Sequence, residues 1–147
     1  MADRRTDSTN KSVRILVVDD YKPWQDFICS TIETIQGMRV VGRASDGLEG
    51  FNKARELQPD LILLDIGLPT MNGIEVARGI RQLFPNAKLL FLSENRSPDI
   101  VEEALRTGAL GYVVKSDAAR ELLPAVEAVL QGRQFVSAML SWNRPAP

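Results

Sequence analysis

The sequence predicts an α/β fold: a doubly wound, five-stranded parallel sheet with helices on both faces. Three observations predict it. Short, almost wholly apolar runs recur along the chain, each with the length and composition of a strand buried on both sides. Between them lie stretches whose apolar residues fall at helical spacing. The two kinds of segment alternate strictly, and alternation of this kind means parallel strands joined by crossover helices.

Each element has its own signals. Val13–Val18 reads as the first strand. Pro23, a residue favoured in a first helical turn, opens the first helix. Trp24, Phe27, Ile28, Thr31, Ile32 and Ile35 recur through it, and Gly37 ends it. Met38–Ala44 is a weaker second strand. Ser45 or Asp46 caps the second helix, whose inner face carries Leu48, Phe51, Ala54 and Leu57, and Pro59 stops it. Leu61–Leu64 is the third strand. The loop from Asp65 to Gly73 is broken by Gly67, Pro69 and Gly73. The third helix carries Ile74, Ala77, Ile80, Leu83 and Phe84, and Pro85 closes it. Lys88–Leu92 is the fourth strand. The fourth helix runs from about Pro98 to Thr107 on Ile100, Val101, Ala104 and Leu105, ending at Gly108. Gly111–Val114 is the fifth strand, and a fifth helix over about Ala118–Gln131 ends at Gly132. Residues 1–12 read as a disordered leader and residues 133–147 as a tail or the start of an interdomain linker.

Composition narrows the function. The 147 residues are 44% hydrophobic and 25% charged, the profile of an ordinary globular domain. A net charge of −1 gives no electrostatic footprint for nucleic acid or membrane. No apolar stretch has the length of a membrane span, and the N-terminus lacks the apolar core of a signal peptide, so the expected location is cytoplasmic. The chain has no histidine, which excludes Ser-His-Asp and Cys-His hydrolases and any His-based zinc site. The single cysteine, Cys29, reads as a small buried residue of the first helix.

The chemistry sits at the strand ends. Asp19 and Asp20 follow the first strand, Asp65 the third, Ser93 the fourth and Lys115 the fifth. Parallel strands deliver these residues to one carboxyl edge, where open α/β sheets bind ligands. Clustered carboxylates repel one another and call for a cation. The set points to phosphate chemistry with a divalent metal, in which a strand-end Asp is a nucleophile for phosphorus.

With these residues in place, the chain resembles the receiver domain of bacterial two-component response regulators. The resemblance covers about Val13 to Gly132. It rests on Asp19-Asp20, Asp65 in LLDIGLP, Gly73 in MNG, Ser93, and Lys115 in GYVVKS. The segment GALGYVVKSDAARELLPAVEAVLQGRQFVS is most similar to the NarL/FixJ (LuxR-type) branch. The resemblance implies the flavodoxin-like, CheY-like (βα)5 arrangement and a phosphoprotein, not an enzyme acting on a separate substrate. Asp65 would be the phosphoacceptor. Asp20, Asp65 and the Gly67 backbone carbonyl would hold Mg2+, or Mn2+ in its place, with Asp19 acting through water. Ser93 and Lys115 would bind the phosphoryl oxygens, and Tyr112 would be the aromatic switch. Gly67, Glu94 and Asn95 would tune hydrolysis and access. A sensor histidine kinase would be the donor. The output would be a shift of the face made by the fourth helix, fifth strand and fifth helix, acting on a downstream effector domain or protein, with transcription as the end point. Homodimers are common in this family. Trp24 reads as a core or rim aromatic of the first helix; the alternative reading sets it near the metal as a reporter.

Three departures from the family pattern stand out. Glu94 follows Ser93 where a small residue is usual, which predicts slow phosphorylation by small donors. Ser116 follows Lys115 where many receivers have proline, which leaves the cis or trans state of that bond open. The NarL/FixJ branch usually continues into a DNA-binding domain, so the chain reads as a receiver cut from, or related to, a transcription regulator; none of its residues points to direct nucleic-acid binding. The alternative is a pseudo-receiver that binds partners without being phosphorylated. A haloacid dehalogenase-type phosphatase would need a second Asp where Gly67 stands. A flavin phosphate would meet Asp19-Asp20.

Overall fold

A computed structural model describes residues 12–140. Five α-helices and six parallel strands alternate in these residues. The elements are β1 (Val13–Val18), α1 (Lys22–Ile32), β2 (Met38–Ala44), α2 (Gly47–Leu57), β3 (Leu61–Leu64), α3 (Gly73–Leu83), β4 (Lys88–Ser93), α4 (Pro98–Arg106), β5 (Gly111–Val114), α5 (Ala118–Leu130) and β6 (Phe135–Val136). The sheet order is β2-β1-β3-β4-β5-β6, every pairing parallel. The expected leader lies outside the described residues apart from Ser12, as does the end of the expected tail.

The two-residue period of the strands sorts their side chains onto two faces. Ile15, Val17, Leu61, Leu63, Leu90, Leu92 and Val113 face α1 and α5, where Ile28, Ile32, Leu122, Val126 and Val129 meet them. Leu16, Val18, Ile62, Leu64, Leu89, Phe91, Tyr112 and Val114 face α2, α3 and α4. Cys29 is buried in the first of these clusters and free.

Capping follows the local sequence. Asp46 is the N-cap of α2 and accepts from the N–H of Glu49. Asn72 and Glu75 form a reciprocal capping box at α3. Gly108 and Gly132 turn with positive φ, as expected for residues that end helical runs, and Gly37 turns likewise just before β2.

Three expectations need correction, and one open point is decided. The sheet has six strands: Phe135 and Val136 pair with Gly111 and Tyr112, a segment too short to show a period of its own. The first helix ends at Ile32 and not at Gly37, because Thr34 and Ile35 close tighter turns onto Thr31 and Ile32. Leu48 and Leu83 are about half exposed, at 51% and 50%, and do not face the core. The buried stripe of α2 is Gly47, Gly50 and Ala54. A Cβ at Gly50 would lie 2.8 Å from the Val18 side chain, so α2 packs close to β1 through absent side chains. The Lys115–Ser116 bond is trans, as is every described peptide bond.

Candidate functional site

Neighbouring strand ends bring the predicted residues together. Val18 pairs with Leu64, Leu64 with Phe91, and Ser93 with Val114, so Asp19, Asp65, Ser93 and Lys115 emerge side by side at the carboxyl edge. The N–H of Asp65 donates to the Val18 carbonyl at 3.0 Å. Gly73 returns the following loop beneath this point. A Cβ there would come within 1.9 Å of the Asp65 carbonyl oxygen, so only glycine fits.

Lys115 is the hub. Its Nζ stands 2.8 Å from Oδ2 of Asp65 and 2.8 Å from Oδ2 of Asp19, and all three residues are buried. Lys115 donates a hydrogen bond to Asp65. Asp19 Oδ2 is paired in charge with the same ammonium, and among the described residues no other donor reaches this buried oxygen. Burial pushes the Asp19 carboxyl up, against the opposing pull of Lys115 and the Tyr21 N–H. Burial also pulls the Lys115 ammonium down, but the facing carboxylates of Asp19 and Asp65 outweigh it and its pKa ends above the ordinary value. Lys115 is therefore charged at neutral pH.

Asp20 is exposed at the rim, and oxygens of Asp19, Asp20 and Asp65 lie within 4.8 Å of one another. The cluster holds three carboxylates, and the one ammonium pairs with two of them, Asp19 and Asp65. An all-oxygen set with more carboxylates than cations suits a hard divalent cation such as Mg2+. An open cavity of about 640 Å³ lies over these groups, and Gly67, Ser93, Glu94, Asn95 and Trp24 are among the residues that line it.

Ser93 is buried, and its Oγ accepts from the N–H of Asn95 at 3.1 Å. Tyr112 points inward with no exposed surface. Its hydroxyl donates to the Asn95 carbonyl at 2.6 Å. Burial pushes the phenol up to about 12; the Ser93 hydroxyl opposes this and the Asp65 charge adds to it. Glu94 is exposed on the cavity rim. Asp19, Asp20, Asp65, Gly67, Ser93, Glu94, Asn95 and Lys115 are thus together at this edge, with the Tyr112 hydroxyl reaching it through Asn95.

Three features were not legible in the sequence. Trp24 places its ring 5.1 Å from Lys115 Nζ. Gln25, buried in α1, donates to the carbonyl of Asp19 at 2.7 Å and holds that strand end in place. Its only trace in the sequence is an amide beside the apolar face of the helix. Ser137 is also buried, and its Oγ accepts from the N–H of Val114 at 2.8 Å while its hydroxyl donates to the Glu121 carboxylate. The residue before Lys115 is thereby tied to the segment after α5.

Residues 15–127 match the model of the response regulator receiver domain family. The chain belongs to this family. Its relatives place the receiver in the NarL/LuxR branch. It is 32% identical over 129 residues to response regulator GacA of Pseudomonas viridiflava, covering 88% of this chain and 60% of that protein. The chain thus spans under two thirds of that relative's length. A two-component response regulator of the LuxR family from Aurantimonas sp. SI85-9A1 superposes with a TM-score of 0.84 at 35% identity, over 89% of this chain and 94% of that one. The signal receiver domain of the response regulator NarL from Mycobacterium tuberculosis superposes at 0.79 with 31% identity, over 84% of this receiver and 99% of that chain. Among the described residues, no helix is long and apolar enough to cross a membrane.

Proposed function

We propose that the receiver accepts a phosphoryl group on Asp65 from a phosphohistidine of a sensor histidine kinase and relays the change to an output. The carrying observation is the buried contact of Lys115 with Asp65 beside the carboxylates of Asp19 and Asp20. Asp20, Asp65 and the Gly67 carbonyl would hold Mg2+, or Mn2+, with Asp19 joined through water. The cation would neutralise charge on the donor phosphoryl group and on the carboxylates. The residues do the rest. A carboxylate oxygen of Asp65 attacks phosphorus in line, an O–P bond forms, and the P–N bond to the donor imidazole breaks. Lys115 and the Ser93 hydroxyl stabilise the equatorial oxygens. In-line water later cleaves the acyl phosphate, with Gly67, Glu94 and Asn95 controlling its approach.

The new charge would draw Lys115 and Ser93 toward the phosphoryl oxygens. Ser93 now accepts from Asn95, and Asn95 holds the Tyr112 hydroxyl, so movement of Ser93 reaches Tyr112 directly. This supports a population shift of the α4–β5–α5 face. Control of transcription through an effector domain or protein, homodimer formation, action in the cytoplasm, and a receiver spanning residues 13–132 with a leader before it and a linker after it belong to the same proposal.

Intact mass after incubation with phosphoramidate or acetyl phosphate tests it. The expected result is a phosphoryl adduct in the wild type that needs Mg2+ and is absent in Asp65→Asn. No adduct from either these donors or a phosphorylated kinase, with Mg2+ binding shown separately, would replace this reading with the pseudo-receiver.

A further inference from the structure

We propose that Trp24 is a positioning residue for Lys115: its ring confines the ammonium over the two carboxylates and blocks its escape toward solvent. The proposal deepens the phosphoacceptor reading by adding a wall to the same site. The Lys115 Nζ has three donor hydrogens. Asp19 and Asp65 each lie 2.8 Å from it, and the Trp24 ring centroid lies 5.1 Å away. An ammonium over an aromatic face is held by the ring quadrupole, and the hold strengthens as water is removed. Lys115 is 6% exposed, so little water competes.

The ring is itself braced. Phe27, one turn further along α1, meets Trp24 edge-on with centroids 5.5 Å apart at 90°. Trp24 also lines two openings. One is the cavity over Asp65. The other is a cleft that runs past Trp24 to Glu94, Arg96 and Ser116. That cleft is the route by which a freed lysine side chain would leave the phosphoryl position, and the Glu94 carboxylate waits beside it. Phosphorylation requires the ammonium to change partner from carboxylate to phosphoryl oxygen without leaving. A wall of fixed shape with a negative face permits that small shift and opposes the large one. A smaller aliphatic residue at position 24 would keep α1 packed but would remove the quadrupole.

The test reads Lys115 directly. Metal-free protein is treated with a limiting amine-acylating reagent, and labelling at each lysine is followed by peptide mass spectrometry. Lys53 and Lys88 serve as internal references. We compare the wild type with Trp24→Leu, Trp24→Met and Trp24→Phe; Met keeps apolar volume if Leu proves too small to fold. Lys115 labelling is expected to rise by about threefold to tenfold in Leu and Met, the range an ammonium–ring contact supports, and by less than about twofold in Phe. Lys53 and Lys88 should not change. A parallel phosphoramidate reaction should slow in Leu and Met and recover in Phe. Unchanged Lys115 labelling in both Leu and Met, or an equal rise at all three lysines, would overturn the proposal. Absence of an adduct in every protein from phosphoramidate and from a phosphorylated kinase alike, with Mg2+ binding shown, would instead overturn the phosphoacceptor reading, and the labelling result would still decide the role of Trp24.

Discussion

The Nζ of Lys115 and Oδ2 of Asp65 stand 2.8 Å apart, both buried, on strand ends separated by β4. The contact ties the residue that would be modified to the residue that would sense the modification. Removing the cation leaves Asp65 and Asp19 buried with no counter-charge. Lys115→Met is therefore expected to lower stability by about 3 kcal/mol in EDTA. Urea denaturation checks this. Mg2+ should restore more stability to the variant than it adds to the wild type, since the ion replaces the missing charge.

Metal dependence should be visible without any phosphodonor. A ligand that binds only the native state stabilises by mass action, about 2.7 kcal/mol at a hundredfold excess over its dissociation constant. Mg2+ is expected to raise the wild-type Tm, and Asp20→Asn to remove most of that rise. An Asp20→Asn variant that gained as much as the wild type from Mg2+ would take Asp20 out of the metal site.

Glu94 places a carboxylate on the rim of the cavity that a phosphodonor enters. Like charges at short range slow the encounter with an anionic donor. Glu94→Ala is expected to react faster with acetyl phosphate, with the difference shrinking as salt screens the charge. Equal rates at low salt would remove the idea.

Tyr112 gives a pH signature. Its phenol is pushed up to about 12 in the folded state. An acid of raised pKa keeps its proton in the native chain where the unfolded chain has lost it. The shift leaves stability unchanged below about pH 10 and lowers it as pH rises toward the folded value. Tyr112→Phe loses the hydrogen bond to the Asn95 carbonyl, which costs about 1 kcal/mol near neutrality. It also loses the alkaline penalty. Denaturant midpoints of the two proteins should stay apart up to about pH 10 and converge or cross above it.

Ser137 closes a chain from the Val114 N–H to the buried Glu121 carboxylate, which also accepts from the N–H of Ala138 at 3.2 Å. Ser137→Ala leaves a buried donor and a buried charge short of a partner. The expected loss is about 2 kcal/mol, read by thermal or urea denaturation. Ala138→Gly, which keeps every one of these bonds, should cost clearly less.

Read in one dimension, the chain already determined its layers and its edge. Apolar runs such as Leu61–Leu64 could only be buried strands, alternation required them to be parallel, and a parallel sheet places Asp19, Asp65, Ser93 and Lys115 on one rim. Those inferences rest on period and polarity, which are local. The two-residue strand at Phe135 has no measurable period, and its place beside β5 depends on a serine and a glutamate 16 residues apart in sequence. The close approach of α2 to β1 depends on Gly50, a residue that carries no hydrophobic signal. The contact of Trp24 with Lys115 joins α1 to the far end of β5, and nothing local distinguishes that ring from any other aromatic on a helix. Tertiary structure alone decided these points, because each is a distance between residues remote in sequence, and such distances are set only when the layers pack.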